Sequence, residues 1–351
     1  MGNRRPLARV AWVLAVVFAF ALTPAAGANP SFYQGPAIFG ISTGLDGRLL
    51  VADFGQGVVD GVTGELIAEL PFVADVDPIA GTDELWAITQ NPDDPTVGGF
   101  QFLYRIDGDG NARRVADLYG FERRFNPHRE AVDSNPFDVE DLGGGAALVA
   151  DAGGNTLLKV DSRGRIQLVA VLPDELVSSA NAATLLGEEF PPLMEAQPVA
   201  TSVAIGPDGA YYVGELKGFP APIGESRVWR IEPNPFPFSV NARDAQCGVS
   251  PRCSIVLDGR TSIIDLVFGP DGRLYVTQID DRSWLAVELA AFAGVPLTLG
   301  GSVHACNLAT AACQQVVSGK PVLTSITFRG TSLWGATNSF FPSLDVTPLL
   351  P

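Results

Sequence analysis

An Asp-Gly turn flanked by two short apolar runs recurs along this chain, and it restricts the fold more than any other feature. It stands as GLDGRLLVAD at 44–53, GPDGAYYVGE at 206–215 and GPDGRLYVTQ at 269–278. Degenerate copies read GTDELWAIT at 81–89, GGGAALVAD at 143–151 and RGTSLWGAT at 329–337. Glycine accepts the positive φ that such a turn or its bulge demands, so each copy predicts a two-stranded hairpin. A hairpin cannot bury both of its faces alone. Six of them call for an architecture in which each unit covers the next.

The intervening segments supply further strands. FLYRIDGDGNARRVADL at 102–118 and TLLKVDSRGRIQLVAVLP at 156–173 each read as strand, turn, strand. With 38 Gly, 27 Pro and few stretches of helical periodicity, the chain is all-β in character. Spread over residues 29–351 the unit averages about 54 residues, comparable to the ~40 to 50 of blade repeats. These features predict one domain over 29–351, a six-bladed β-propeller, with five or seven blades as alternatives. Residues near 29–37 are expected to complete the last blade, because little chain follows Thr337. Residues 174–197 break the pattern and read as an inserted loop over one face, with a short helix over Ser178–Glu189.

The first 28 residues carry Arg4, Arg5 and Arg9, an apolar stretch from Val10 to Leu22 and a small-residue end, Ala26-Gly27-Ala28. This predicts a secretory signal peptide over 1–28, cleaved near Ala28, and a secreted or periplasmic protein; an uncleaved anchor is the alternative. No later segment is apolar over the ~20 residues of a membrane span. The formal net charge is −16 over the whole chain and −19 without the leader's three arginines. Such a charge disfavours nucleic acid and anionic membranes as partners. The four cysteines form two close pairs, Cys247 with Cys253 and Cys306 with Cys313, which in an exported chain predict two short-range disulfides. Metal ligation is their competing use, but His128 and His304 are the sole histidines.

SNPFDV at 134–139, VADAGGNTLLKVD at 149–161 and above all TSVAIGPDGAYYVGELKGFPAPIG at 201–224 resemble the ScyD/ScyE family of exported propellers, related to the NHL-repeat proteins. The likeness runs from about residue 37 to 338. It implies a six-bladed fold outside the cytoplasm, and, for members encoded beside scytonemin genes, an auxiliary role in making that pigment. It carries over no catalytic residues.

Aligning the six hairpins on their turns brings Asp53, Thr89, Asp151, Glu215, Gln278 and Thr337 to one point, the end of the second strand. Near the start of the first strand stand Gly40, Asp75, Asp138, Ser202, Asp265 and Ser325. Both sets are expected to face one mouth of the central channel, each pair meeting across its hairpin. The first set is the expected ligand-binding ring. Asp75, Asp138, Asp265 and Ser202 are the expected metal ligands, since converging carboxylates need a counter-charge and hard oxygen donors suit Ca²⁺ or Mg²⁺. For any one of these residues, satisfying a local turn amide is the plainer role.

His128 reads as a solvated residue or a local hydrogen-bonder, with a general base on a loop above the channel as the alternative, and Trp86, Tyr212, Tyr275 and Trp334, at matching strand positions, read as packing between blades. No nucleophile elbow, P-loop or GxGxxG follows a strand, so no nucleotide or redox cofactor is indicated. The predicted function is a non-catalytic exported propeller that binds a small molecule, glycan or protein at its top face, with a divalent cation at the channel mouth. The alternatives are a Ca²⁺-dependent lactonase or esterase and an auxiliary protein of pigment or secondary-metabolite maturation.

Overall fold

A computed structural model describes Tyr33 and residues 38–233, 242–295, 298–337 and 345–351. The leader expected over 1–28 lies outside these residues. Six antiparallel sheets stand in a ring, each with its first strand innermost: Ile38–Thr43, Val73–Pro78, Pro136–Gly143, Ala200–Ile205, Ile263–Phe268 and Ser325–Arg329. The innermost strands touch in sequence around a closed circle, the sixth meeting the first. The chain is a six-bladed β-propeller.

The turn chemistry is what the sequence predicts. Gly47, Gly209 and Gly272 sit at φ 79°, 75° and 74° in the three Asp-Gly turns. Asp46, Asp208 and Asp271 each accept the amide two residues on, at 2.9, 3.1 and 3.1 Å, so the aspartate pins the turn that glycine permits. The second strands, Leu49–Asp53, Tyr211–Glu215 and Leu274–Gln278, are buried along their whole length. A strand covered by neighbouring blades on both faces has no polar side to alternate with, hence the unbroken apolar runs.

The core is divided by the blades. Among the described residues, six apolar clusters each straddle one junction; Leu50, Val58, Val73 and Ala87 join blades 1 and 2, and Ile41, Val51, Trp334 and Ala336 join blades 6 and 1. Tyr212 meets Phe268, and Tyr275 meets Phe328, edge to face at centroid distances of 5.0 and 4.9 Å across successive junctions. The matching aromatics therefore do pack between blades.

Blade 6 is finished by both ends of the chain. Asp345–Leu350 supplies its third strand, and Tyr33 bridges Val346 on that strand's free edge, its carbonyl accepting the Val346 amide at 3.3 Å. The C-terminal chain thus contributes more than the sequence suggests, and the N-terminal segment supplies the outermost position. The seam is tightened by Thr324 Oγ1 donating to the Ile38 carbonyl at 2.8 Å and by the Tyr33 hydroxyl donating to buried Asp53.

Disulfides join Cys247 to Cys253 and Cys306 to Cys313. Cys306 and Cys313 are register partners in the outer hairpin of blade 5. The bonds indicate an oxidising, extracellular or periplasmic environment. No helix among the described residues is long and apolar enough to cross a membrane.

Tyr33→Ala is expected to cost about 3–5 kcal/mol in urea unfolding, through lost ring burial at the seam. Tyr33→Phe, which removes only the hydroxyl, should cost about 1 kcal/mol, because Asp53 keeps its other donors, the Gly55 and Gln56 amides.

Candidate functional site

The innermost strand of every blade is an edge strand, and its outward N–H groups have no strand to receive them. At four of the six junctions a side chain from the preceding blade does so. Asp75 of blade 2 accepts the Val139 amide of blade 3 at 2.9 Å, and Asp138 of blade 3 accepts the Val203 amide of blade 4 at 2.6 Å. Asp265 of blade 5 accepts the Ile326 amide and the Ser325 hydroxyl of blade 6 at 2.6 and 2.8 Å. Ser325 in turn accepts the Ile41 amide of blade 1 at 3.1 Å, closing the ring.

Two residues further along, the staple repeats. Asp77 accepts the Asp141 amide at 2.8 Å, and Glu140 accepts that of Ile205. These five carboxyls line a channel cavity of about 80 Å³ together with residues such as Ser42 and Thr327. Gly40 completes the first tier without a side chain: a Cβ there would lie 1.9 Å from Asp75 Oδ1. Ser202 turns away, its Oγ against Gly214 and buried without a hydrogen-bond partner.

No Lys or Arg side chain lines this cavity. Burial raises all five groups, and their mutual charge raises four of them further: Asp77 and Asp265 to about 8, Asp75 and Glu140 well above the ordinary range. Burial alone takes Asp138 to about 6. Asp75 and Asp138 hydrogen-bond to each other, a contact two carboxyls make through a shared proton. Each raised carboxyl takes up a proton more readily than a free one, which relieves the repulsion within the cluster. Among the described residues no three Asp, Glu, His or Cys side chains are arranged to hold a metal ion. Asp75, Asp138 and Asp265 do meet in the channel as expected, but committed to amides and protons, and Ser202 is not beside them. The set does not fit a Ca²⁺ or Mg²⁺ centre.

The other ring lies at the strand ends, one residue out of the expected register. A bulge in the first strand pairs Glu215 with Ala200 and Ser202 with Gly214, and likewise Asp151 with Pro136 and Asp138 with Ala150. The two sets therefore do not face each other across the hairpins. Each member of the second ring anchors its own loop. Asp53 accepts the Gly55 amide at 2.8 Å; Asp151 accepts the Ser134 hydroxyl and Asn135 amide, both at 2.7 Å. Gln278 accepts the Thr261 amide at 2.9 Å and donates to Asp281 at 2.8 Å. Thr89 and Thr337 donate to the Phe100 and Asp345 carbonyls.

Glu215 has the most constrained setting. It is fully buried, accepts from Trp229 Nε1 at 3.1 Å and pairs with Lys217 at 2.8 Å. Burial pushes its carboxyl up while the Lys217 ammonium pulls it down. Lys217, also fully buried, reaches Glu175 at 2.5 Å, and Glu175 holds Arg227 as well. This chain of charges ties the 216–225 loop to the inserted segment, which forms a hairpin, Glu175–Ser178 with Leu193–Ala196, around a helix at Ala180–Leu186. The helix is shorter than the Ser178–Glu189 expected. Asn181 Nδ2 donates to the Ala221 carbonyl and Ser283 Oγ, and Trp284 Nε1 donates to the Lys217 carbonyl at 2.7 Å.

These interlocked loops plug the top of the channel. Phe39, Phe137 and Ile264, which precede Gly40, Asp138 and Asp265, form one apolar cluster with Ala182, Leu216 and Trp284. Phe39 and Phe137 belong to non-adjacent blades, so their 5.8 Å contact crosses the channel end.

Two features escape sequence reading. Glu122 and Asp133 converge with Asp151 on the Gly153-Gly154 loop, where a Cβ on Gly153 would lie 2.4 Å from Asp133 Oδ1; burial pushes them to about 8 and about 7. Only the folded chain brings them together. The partner of His128 is equally invisible in sequence: as a local hydrogen-bonder, one of its expected roles, it places Nε2 3.0 Å from Asp174 at the base of the insert.

No family model matches the chain, and no curated protein matches its sequence. Solved structures do. A gluconolactonase from Xanthomonas campestris superposes with a TM-score of 0.53 at 12% identity, over 92% of this chain and 89% of that one. A calcium-binding protein, regucalcin, from Agrobacterium tumefaciens gives 0.51 at 12%, over 87% and 83%. The PQQ-bound aldose sugar dehydrogenase of Streptomyces coelicolor gives 0.50 at 14%, over 89% and 91%. At these identities the likeness establishes the propeller fold alone.

Because the folded channel raises Asp77 and Asp265 to about 8 while the unfolded chain releases such protons near pH 4, the contribution of these two groups to stability is fully present below that pH and is lost as pH rises through about 8. Asp265→Asn, which keeps an acceptor for Ile326 and stays neutral, should stabilise the protein at pH 8 by on the order of 1 kcal/mol and change little at pH 4. Thermal melts across this range read both effects. Lys217→Met, leaving Glu215 buried without its counter-charge, should cost about 3–5 kcal/mol, and Glu215→Gln should restore part of the loss.

Proposed function

We propose that this chain is an exported, non-catalytic propeller that presents its plugged top face as a binding platform for a small molecule, glycan or protein. The observation that carries this reading is where the polar groups go. Channel carboxyls are held by inter-blade amides and protons, strand-end groups by their own loops, and the mouth is filled by an apolar plug. An acid–base or metal-assisted step needs a converging set of polar groups open to substrate. The surface left for recognition is the outer side of the three interlocked loops. Export is the reading of the leader over 1–28, and kinship with the exported ScyD/ScyE propellers that of residues 201–224. An auxiliary place in secondary-metabolite maturation is compatible with a platform.

The competing reading, a Ca²⁺-dependent lactonase or esterase, is decided by assay. With excess Ca²⁺ the protein should hydrolyse aldonolactones and aryl esters no faster than buffer does. Turnover that disappears on chelation and in Asp138→Asn would replace the platform with an enzyme.

A further inference from the structure

The inserted hairpin carries an exposed apolar face. Leu176 is 69% exposed and Leu193 58%. The register places Leu176 opposite Glu195 and Leu193 opposite Ser178, so the two leucines lie diagonally on one side, the side away from buried Val177 and Ala196. A third aliphatic joins them from another loop. Ile223, 53% exposed, lies between Ala221, whose carbonyl accepts from Asn181, and Glu225, whose carboxylate accepts the Ser178 amide at 2.9 Å. Ile223 thus stands on a loop fastened on both sides of it, at Asn181 and Ser178, to the insert, whose backbone is tied down by hydrogen bonds and by the ion pairs of Glu175.

The insert itself carries charge of one sign. Glu188, Glu189 and Glu195 are exposed on the same insert, and no Lys, Arg or His occurs between Arg165 and Lys217. Lys217 and Arg227, which lie next to the insert, are both paired with Glu175. A rigid apolar face rimmed by unpaired carboxylates complements a partner with aliphatic side chains on one side and cations beside them. A second copy of this chain, itself strongly acidic, meets like charge there, and so does an anionic membrane.

We infer that the outward face of the 175–196 hairpin, together with Ile223, docks a basic amphipathic polypeptide segment. The aliphatic side chains of the segment cover Leu176, Leu193 and Ile223, and its Lys or Arg residues face Glu188, Glu189 and Glu195. This inference rests on the platform reading and specifies its partner.

Fluorescence anisotropy tests it with a labelled Leu/Lys amphipathic peptide about five helical turns long, beside a Ser/Lys peptide of equal charge and a Leu/Glu peptide. The intact protein is expected to bind Leu/Lys at least about ten-fold more tightly than either control, and more weakly as salt rises. Leu176→Ser/Leu193→Ser should erase that preference. Val62→Ser/Leu66→Ser, at exposed positions of blade 1, should keep it. Equal affinity for Leu/Lys and Ser/Lys, or a preference that survives the hairpin double variant, overturns the inference. So does Leu176-dependent binding to neutral phosphatidylcholine vesicles without peptide discrimination, which assigns the patch to lipid. Chelator-sensitive lactone turnover strikes down the platform reading itself. Peptides that fail to discriminate, with no such turnover, strike down the partner assignment alone.

Discussion

Four of the six blade junctions in this propeller depend on what one blade offers to the unpaired strand edge of the next. A four-stranded sheet standing upright in a ring leaves its innermost strand with alternate amides pointing at the channel, where no further strand can reach. Here an acidic or hydroxyl side chain from the preceding blade crosses the gap and accepts them, at Val139, Val203, Ile326 and Ile41. The same contact orders the blades, fixes the height at which they meet and gathers carboxyls into a narrow space. An acidic channel is thus a by-product of solving an edge problem. Its electrostatic cost is limited because the groups hold protons, which leaves a carboxyl able to accept an amide without carrying charge.

That contact explains how a polar ring arises from the needs of strand edges. Six aligned polar positions suggest a ligand shell when only their spacing is known. In the structure Asp53, Asp151 and Gln278 accept loop amides, Thr89 and Thr337 donate to loop carbonyls and Glu215 pairs with Lys217, and the one-residue bulge in the first strand separates the two rings that spacing alone would pair. Glu215 and Lys217 follow the same logic on the top face. Two fully buried charges satisfy each other while binding the plug to the blade beneath it.

The hairpins were legible because an Asp-Gly turn is a local signal: glycine supplies the φ and aspartate the hydrogen bond, both within four residues. The doubly buried second strands were legible for a similar reason, their apolar runs being uninterrupted. Register was not, because a bulge shifts pairing without leaving a residue type that marks it. Asp77 and Glu140 were visible as ADVDP and FDVED, an acid two residues after another on an apolar strand, yet their partners are amides of a different blade. Glu122 and Asp133 had no local pattern; one sits on the helix Leu118–Phe125 and the other in a loop.

The bridge between Tyr33 and Val346 has a temporal side. The other five blades lie between Tyr33 and Val346 in sequence, so the outermost strand position of blade 6 stays without its partner until all of them have been made. Five blades can stack in chain order, while the sixth waits for a contact between segments that lie on either side of them in sequence. Ring closure is therefore the most non-local event in folding, and the slowest contacts to form are those that decide whether the circle is complete. Until then, blade 1 offers an uncovered flank to any other sheet nearby.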